Sequence, residues 1–195
     1  MDRTQQLEKL RDVILEWNEK INVTAIRDPQ EFDRKNVQDS LAILPLPEYE
    51  GAKEVLDMGT GGGFPGIPLA ILFPEVRFKL IDGTGKKIRV VNEVSSAIGL
   101  RNVEAVQLRG EEEQGRFDFV VSRAVMPLPD LVKLIRKNIA RRQLNSIGNG
   151  LLCLKGGNVD EEVRPFKKYA EVTPLSQWFE EEWFKEKRLI YLPLC

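Results

Sequence analysis

Glu54-Val55-Leu56-Asp57-Met58-Gly59-Thr60-Gly61-Gly62-Gly63-Phe64-Pro65-Gly66 is the segment from which the architecture follows. It begins with the apolar run of a buried strand, breaks into a glycine-rich turn, and starts a helix near Pro65. Glycines at such a turn admit positive φ and let a ligand lie against bare peptide, while the helix start offers unpaired N–H groups. Pro65 suits the first helical turn, where no N–H partner is needed. Strand, turn and helix together make a binding site of nucleotide size.

Two ligand classes fit the glycine spacing. Gly61-x-Gly63-x-x-Gly66 satisfies the dinucleotide fingerprint, and Asp57-x-Gly59-x-Gly61-x-Gly63 satisfies the acidic version used by S-adenosylmethionine (SAM) methyltransferases. Asp57 favours the second. A carboxylate at the end of an apolar strand is costly without a partner, and SAM carries an ammonium and a sulfonium, whereas a dinucleotide pyrophosphate would be repelled. The simpler alternative is an aspartate that only caps the turn.

Composition narrows the classes further. The chain has 195 residues, 42% hydrophobic and 30% charged, which suits one soluble domain with a small extension. No apolar run approaches the roughly 20 residues that span a bilayer, and the first residues, MDRTQQLEKL, lack a signal-peptide core; the expectation is a cytoplasmic protein with no membrane contact. Two cysteines, Cys153 and Cys195, make neither a disulfide framework nor a metal site, and no metal is expected. A net charge of −1 means that any basic surface is local, balanced by clusters such as Glu111-Glu112-Glu113 and Glu180-Glu181-Glu182. The chain contains no histidine, so histidine triads, histidine bases and most catalytic zinc sites are excluded.

Leu7, Leu10, Val13, Ile14 and Trp17 give residues 4–18 the spacing of an amphipathic helix. Asp28-Pro29 opens a second helical stretch to about Ile43, with Asp28 as N-cap and Pro45 and Pro47 as terminators. These residues, 1–44, form an expected N-terminal helical extension packed on the core. From residue 45 to 195, strand-like runs at 53–58, 76–82, 102–107, 117–122 and 150–155 alternate with helix-like runs at 65–73, 85–99, 128–139 and 158–167. The alternation predicts an α/β fold, a mostly parallel sheet with helices on both faces. Runs near 168–173 and 187–193 complete seven strands and are expected to pair antiparallel at the far edge.

In such a sheet the ligand lies at the carboxyl ends of the strands, where strand order reverses. Asp57–Gly63, Asp82, Arg109–Glu111, Ser122-Arg123 and Lys155-Gly156-Gly157 should then converge on one crevice. Asp82, 19 positions after Gly63, can accept hydrogen bonds from ribose hydroxyls; the alternative is a loop acid that caps the helix starting near Gly85. Gly110 and Glu111 are placed to meet an adenine through a backbone N–H and a carboxylate. Arg123 ends a strand buried on both faces and must meet a cleft or an anion. Lys155 ends another. Both are candidates to grip a phosphate or a target base, with structural ion pairs as the alternative. Basic residues also gather at Lys86-Lys87-Arg89, Lys133 to Arg142 and Arg34-Lys35; if several share the crevice rim, the substrate is a phosphate-rich polymer.

Beyond these physical patterns, the chain resembles the RsmG (GidB) methyltransferases over nearly its whole length. The resemblance runs through Trp17-Asn18-x-x-x-Asn22-Val23-Thr24, Arg27-Asp28-Pro29 and Asp39-Ser40-Leu41. It is densest from Asp57 to Ala70, where Gly63-Phe64-Pro65-Gly66-Ile67-Pro68-Leu69 is much more specific than a generic glycine loop, and returns at Gly85-Lys86-Lys87, Arg109-Gly110-Glu111-Glu112, Phe117 to Ala124 and Leu154-Lys155-Gly156-Gly157. The wording is nearest to Bacteroidetes members. Asn36 stands where the family usually has histidine, and Gly83 where it usually has serine.

The resemblance implies a Rossmann-like fold and transfer of a methyl group from SAM to N7 of a guanine in bacterial small-subunit (16S) rRNA, on a monomer partnered by that RNA or by the small ribosomal subunit. It implies SAM contacts at Gly59, Phe64, Gly110, Glu111 and Arg123, with Asp57 and Asp82 as in SAM-dependent enzymes generally and Gly61 and Gly63 in the loop. Arg123 and Lys155 are expected to orient the acceptor. N7 already presents a lone pair, so the displacement needs no general base, consistent with a chain lacking histidine. Other readings are a methyltransferase with a small-molecule or protein acceptor, a non-catalytic SAM- or RNA-binding scaffold, and, more distantly, a dinucleotide oxidoreductase.

Overall fold

The computed structural model describes residues 1–43, 54–123 and 125–195. Seven strands form one sheet: β1 (Glu54–Met58), β2 (Arg77–Asp82), β3 (Val103–Gln107), β4 (Phe119–Arg123), β5 (Gly150–Gly156), β6 (Glu171–Pro174) and β7 (Lys187–Pro193). Their order is β3-β2-β1-β4-β5-β7-β6. The first five are parallel, and β7 runs antiparallel between β5 and β6. Val55, Leu56, Val120 and Val121 are fully buried, as central parallel strands covered on both faces require. Strand order reverses between β1 and β4, the crevice position expected of such a sheet.

Helices α4 (Gly66–Leu72), α5 (Gly85–Ala97) and α6 (Leu128–Ile135) supply the long crossovers. The run expected as helix over 128–139 stops being α-helical at Ile135 and continues as a 3₁₀ turn, Arg136–Asn138. There the buried Asn138 amide donates to the carbonyls of Glu113 and Gly115, 3.1 and 2.9 Å away. The expected 158–167 helix is likewise divided into α7 (Asp160–Val163) and a 3₁₀ turn, Arg164–Phe166. Pro165 lacks the N–H that an α-helix would need there. A short helix, Glu182–Lys185, precedes β7 where sequence suggested only an acidic segment.

The N-terminal helix α1 (Arg3–Lys20) is closed by a reciprocal cap in which Asp2 accepts from the Gln5 N–H and Gln5 from the Asp2 N–H. Asp28 caps the next helix through the Glu31 N–H at 2.8 Å. That segment is α-helical at Pro29–Phe32, widens to a π-helical stretch at Asp33–Gln38, and returns to α-helix at Asp39–Leu41. Its expected terminators, Pro45 and Pro47, and the 44/45 boundary lie outside the described residues. Leu10, Ile14 and Phe32 share one hydrophobic cluster with Ile67, Val91 and Val94 of α4 and α5, so these helices bury the flank of the sheet layer beside the glycine turn.

Candidate active site

The Gly59 and Thr60 N–H groups both donate to the Ile81 carbonyl, at 3.0 and 2.9 Å, pinning the turn after β1 to β2. Gly59 and Gly63 have φ of 71° and 101°, which L side chains rarely adopt. A Cβ at Gly59 would also lie 2.7 Å from Val125 Cγ2, and one at Gly63 2.4 Å from Ile67 Cδ1. The backbone must therefore be bare here.

Asp57 is fully buried beneath this turn. Its Oδ2 accepts from the Thr60 hydroxyl at 2.6 Å and from the Gly66 N–H at 2.8 Å, which caps α4. Its Oδ1 has no hydrogen-bond partner among the described residues. Burial pushes the carboxyl up to about 7, against the lowering effect of Thr60, Gly66 and Arg123; Asp82 adds to the rise. Asp57 lines none of the adjoining cavities and bears on them only through the turn it holds.

A cavity of about 350 Å³ opens on the carboxyl ends of β1 to β4. Met58, Ile81 and Leu134 supply apolar wall, and Asp82, Gly110 and Glu111 supply polar edge. Asp82 accepts from the Gly61 N–H through Oδ2 at 3.0 Å and from the Thr84 N–H through Oδ1 at 2.8 Å, so it braces the turn and the start of α5 together. Each carboxylate oxygen retains a second lone pair for a ligand hydroxyl. A Cβ at Gly110 would stand 2.8 Å from both Met58 Sδ and Leu134 Cδ2, which would narrow the apolar slot. Volume, flat apolar walls and two edge carboxylates fit a nucleoside.

A second cleft, about 300 Å³, lies between residues 24–39 and the ends of β4, β5 and β7. Arg123 is its central group. Its Nη1 donates to the Lys35 carbonyl at 3.1 Å and its Nη2 to Asn36 Oδ1 at 2.9 Å, with Asp39 Oδ2 3.8 Å away and the Phe64 ring centroid 5.4 Å from Cζ. Burial raises the Asp39 carboxyl pKa, opposed by Arg123 and Lys187; burial lowers that of Arg123, opposed by Asp39 and Asp57. A smaller hollow of about 210 Å³, lined by Gly59, Gly61, Phe64, Asn36 and Arg123, lies against the glycine turn. Arg123 and Asn36 line both this hollow and the second cleft.

Lys155 sits at the end of β5 as expected, but its amine is engaged. Nζ donates to the Met126 carbonyl at 2.7 Å and pairs with Glu162 Oε2 at 2.5 Å. That oxygen also accepts from the Leu128 N–H at 2.6 Å. Burial opposes ionisation of Glu162, yet the lysine and this N–H hold its carboxyl below the usual range. Lys155 therefore fastens the segment after β4 to α7.

The five strand ends do not share one crevice. Gly59, Asp82 and Arg109–Glu111, from the first three ends, line the nucleoside-sized cavity, while Arg123, from the fourth, lines the second cleft with Lys155 and Gly156. The division arises because the helical segment over 29–41 lies across Arg123, a contact between residues far apart in sequence. Of the basic groups, Lys35 joins the second cleft and Lys87 the hollow at the glycine turn; Lys133, Arg136, Arg141 and Arg142 line neither. Sequence reasoning missed Trp183 and Lys187, which complete the second cleft; the signal was a lone tryptophan between an acidic run and a basic strand. It also missed how Asn18 works. Buried Asn18 donates to the carbonyls of Thr24 and Ile26 and accepts from the N–H groups of Val23 and Thr24, using its full hydrogen-bonding capacity to shape the 23–26 wall of that cleft. Among the described residues no group of three or more His, Cys, Asp or Glu is placed to hold a metal, and no helix is long and apolar enough to cross a membrane.

The strand order, the antiparallel β7 and a nucleoside-sized cavity against a glycine turn define the class, a Rossmann-like SAM-dependent methyltransferase. The fold is shared with mitomycin 7-O-methyltransferase, at a TM-score of 0.58 and 14% identity over 79% of this chain and 52% of that one. The chain belongs to the rRNA small subunit methyltransferase G (GidB) family, whose model matches residues 3–190. It is 50% identical to ribosomal RNA small subunit methyltransferase G of Bacteroides thetaiotaomicron, over 97% of this chain and 92% of that protein. A relative of the same name from Parabacteroides distasonis is also 50% identical, over 97% of this chain and 83% of its own length.

Proposed function

We propose that this chain transfers the methyl group of SAM to N7 of a guanine in small-subunit (16S) rRNA. The observation that carries the reading is that Arg123 lines both the cation-rich second cleft and the hollow against the glycine turn, while Gly59 of that turn also lines the nucleoside-sized cavity. Bound SAM supplies an electrophilic sulfonium methyl. Gly59, Gly61 and Gly63 let it lie against the backbone, with the Asp57 charge beneath to favour its cationic groups. Asp82 would accept from the ribose hydroxyls, and Gly110 and Glu111 would meet the adenine edge. Phe64 and Arg123, which line the hollow against the glycine turn, would close the methyl side.

On the acceptor side Arg123 orients the base. Lys155, whose amine is already paired, assists by holding the wall of the cleft. With SAM held there, the N7 lone pair would take the methyl as the S–CH₃ electron pair stays on sulfur, a transfer that would ask no side chain to move a proton. Alignment is then the main catalytic effect, worth on the order of 7–11 kcal/mol when the reacting atoms are held close. Residues 1–44 form an RNA-facing extension on a methyltransferase domain spanning 45–195, and the enzyme works as a cytoplasmic monomer on the small subunit or its RNA.

Equilibrium dialysis with labelled SAM, followed by transfer assays on small ribosomal subunits and on small-molecule acceptors, tests the reading. SAM binding with label passing only to the subunits supports it. Tight NAD binding without SAM binding, or transfer only to a small molecule, contradicts it.

A further inference from the structure

We propose that the second cleft is an acceptor-strand subsite in which Trp183 is the stacking platform for a base of the RNA and Lys35 and Lys187 carry the flanking phosphates. The proposal rests on the RNA methyltransferase reading above and adds the residues that would hold the strand. Lys35 Nζ lies 4.6 Å and Lys187 Nζ 4.1 Å from the centroid of the Trp183 ring. Both ammonium groups thus lie within cation–π range of one half-buried ring. Lys35 also pairs with Glu31, whereas Lys187 has no ion-pair partner within 4.0 Å among the described residues.

A nucleotide would exchange these contacts for its own. A base entering the cleft takes a face of the indole, and a displaced lysine moves to the phosphate, which exchanges a cation–π contact for stacking plus a charge pair. The cleft has the ingredients of a single-strand site, an aromatic ring among cations, in a hollow of about 300 Å³. It also has the right neighbour. Arg123 and Asn36 line it and also line the hollow against Gly59 and Gly61, so a strand held on Trp183 presents its next base toward the methyl donor.

Four proteins decide the matter: the wild type, Trp183→Ala, Trp183→Phe and Lys187→Gln. Each is measured for affinity toward a guanine-containing single-stranded RNA oligonucleotide, for its salt dependence, for SAM affinity and melting temperature, and for KM on small ribosomal subunits lacking the modification. Trp183→Ala should weaken oligonucleotide binding about tenfold or more and raise KM in step, with SAM affinity within about twofold; Trp183→Phe should restore most of it. Lys187→Gln should lower the slope of log affinity against log salt by about 0.7. RNA binding by Trp183→Ala equal to wild type, or parallel loss of SAM and RNA affinity, would overturn the subsite. Should Trp183→Ala fail to fold, an unchanged salt slope in Lys187→Gln overturns it instead. Trp183-dependent RNA binding without methyl transfer by the wild type would leave the subsite standing and remove the rRNA methyltransferase reading.

Discussion

Asn36 Oδ1 accepts a hydrogen bond from Arg123 Nη2 at 2.9 Å, tying the helical segment over 29–41 to the carboxyl end of β4. The adjacent Lys35 carbonyl takes Nη1 of the same guanidinium at 3.1 Å. The π-helical stretch Asp33–Gln38 brings both oxygens to one fork-shaped donor. Asn36 thus does at this position what its amide oxygen can do without titrating. Replacing Asn36 with alanine removes one acceptor from a buried guanidinium, which costs about 1–3 kcal/mol. Methyl transfer should fall about tenfold or more, with a smaller loss of SAM affinity, read as kcat/KM against a dialysis constant.

Arg123 itself tolerates little. Arg123→Ala should reduce methylation to about 1% of wild type or less and weaken SAM binding, since the guanidinium borders both sides of the reaction. Arg123→Lys keeps the charge but cannot bond Lys35 and Asn36 in parallel, so its rate should lie between the two. A wild-type rate in Arg123→Ala would remove it from the machinery.

Asp57 makes stability fall with rising pH. A carboxyl whose pKa rises on folding, here from 3.8 to about 7, binds more protons in the folded chain than in the unfolded one. The slope of unfolding free energy against pH is then negative across that window, and the penalty is complete above it, on the order of 4 kcal/mol. Asp57→Asn should gain stability relative to wild type at pH 8 and little at pH 4, while losing SAM affinity. Chemical denaturation of both proteins across this range measures the difference, and a pH-independent difference would refute the assignment.

Lys155 has a role that stability measurements separate from catalysis. Lys155→Met keeps the apolar stem but leaves the Met126 carbonyl and Glu162 without the amine, at a cost of about 1–3 kcal/mol. Calorimetry should show a lower melting temperature accompanying any loss of rate. A loss of rate with an unchanged melting temperature would place the amine in direct contact with the acceptor.

The glycine turn should discriminate between its own members. Gly61 has φ of 58° and no atom within 4 Å of a would-be Cβ, so Gly61→Ala costs only left-handed backbone strain, about 1–2 kcal/mol. Gly63→Ala adds the 2.4 Å clash with Ile67 Cδ1 and should cost clearly more. Equal melting temperatures for the two variants would contradict the geometry.

Sequence periodicity located the sheet because its central strands are continuous apolar runs, and Asp28 marked the start of the second N-terminal helix. The positions of Asp82 and Arg123 were legible because each ends a strand of a parallel sheet, whereas Asp57, near the end of β1, is buried beneath the turn and lines no cavity. Partnership was not legible. Glu162 lies beyond the turn after β5, and Asn36 is held against Arg123 only by the folding of the N-terminal helices onto the core. Trp183 reads in sequence as one aromatic among surface charges, and its setting arises only when β7 inserts between β5 and β6 and brings Lys187 to the ring that Lys35 also meets.

Transfer of radiolabelled methyl from SAM to small ribosomal subunits from a strain lacking the modification, followed by nucleoside analysis of the rRNA, tests donor, acceptor and position in one experiment. Label recovered as N7-methylguanosine is the expected result. Label on another nucleoside or on ribosomal protein, or none where a family member of established activity transfers it, would contradict guanine-N7 methylation by this chain.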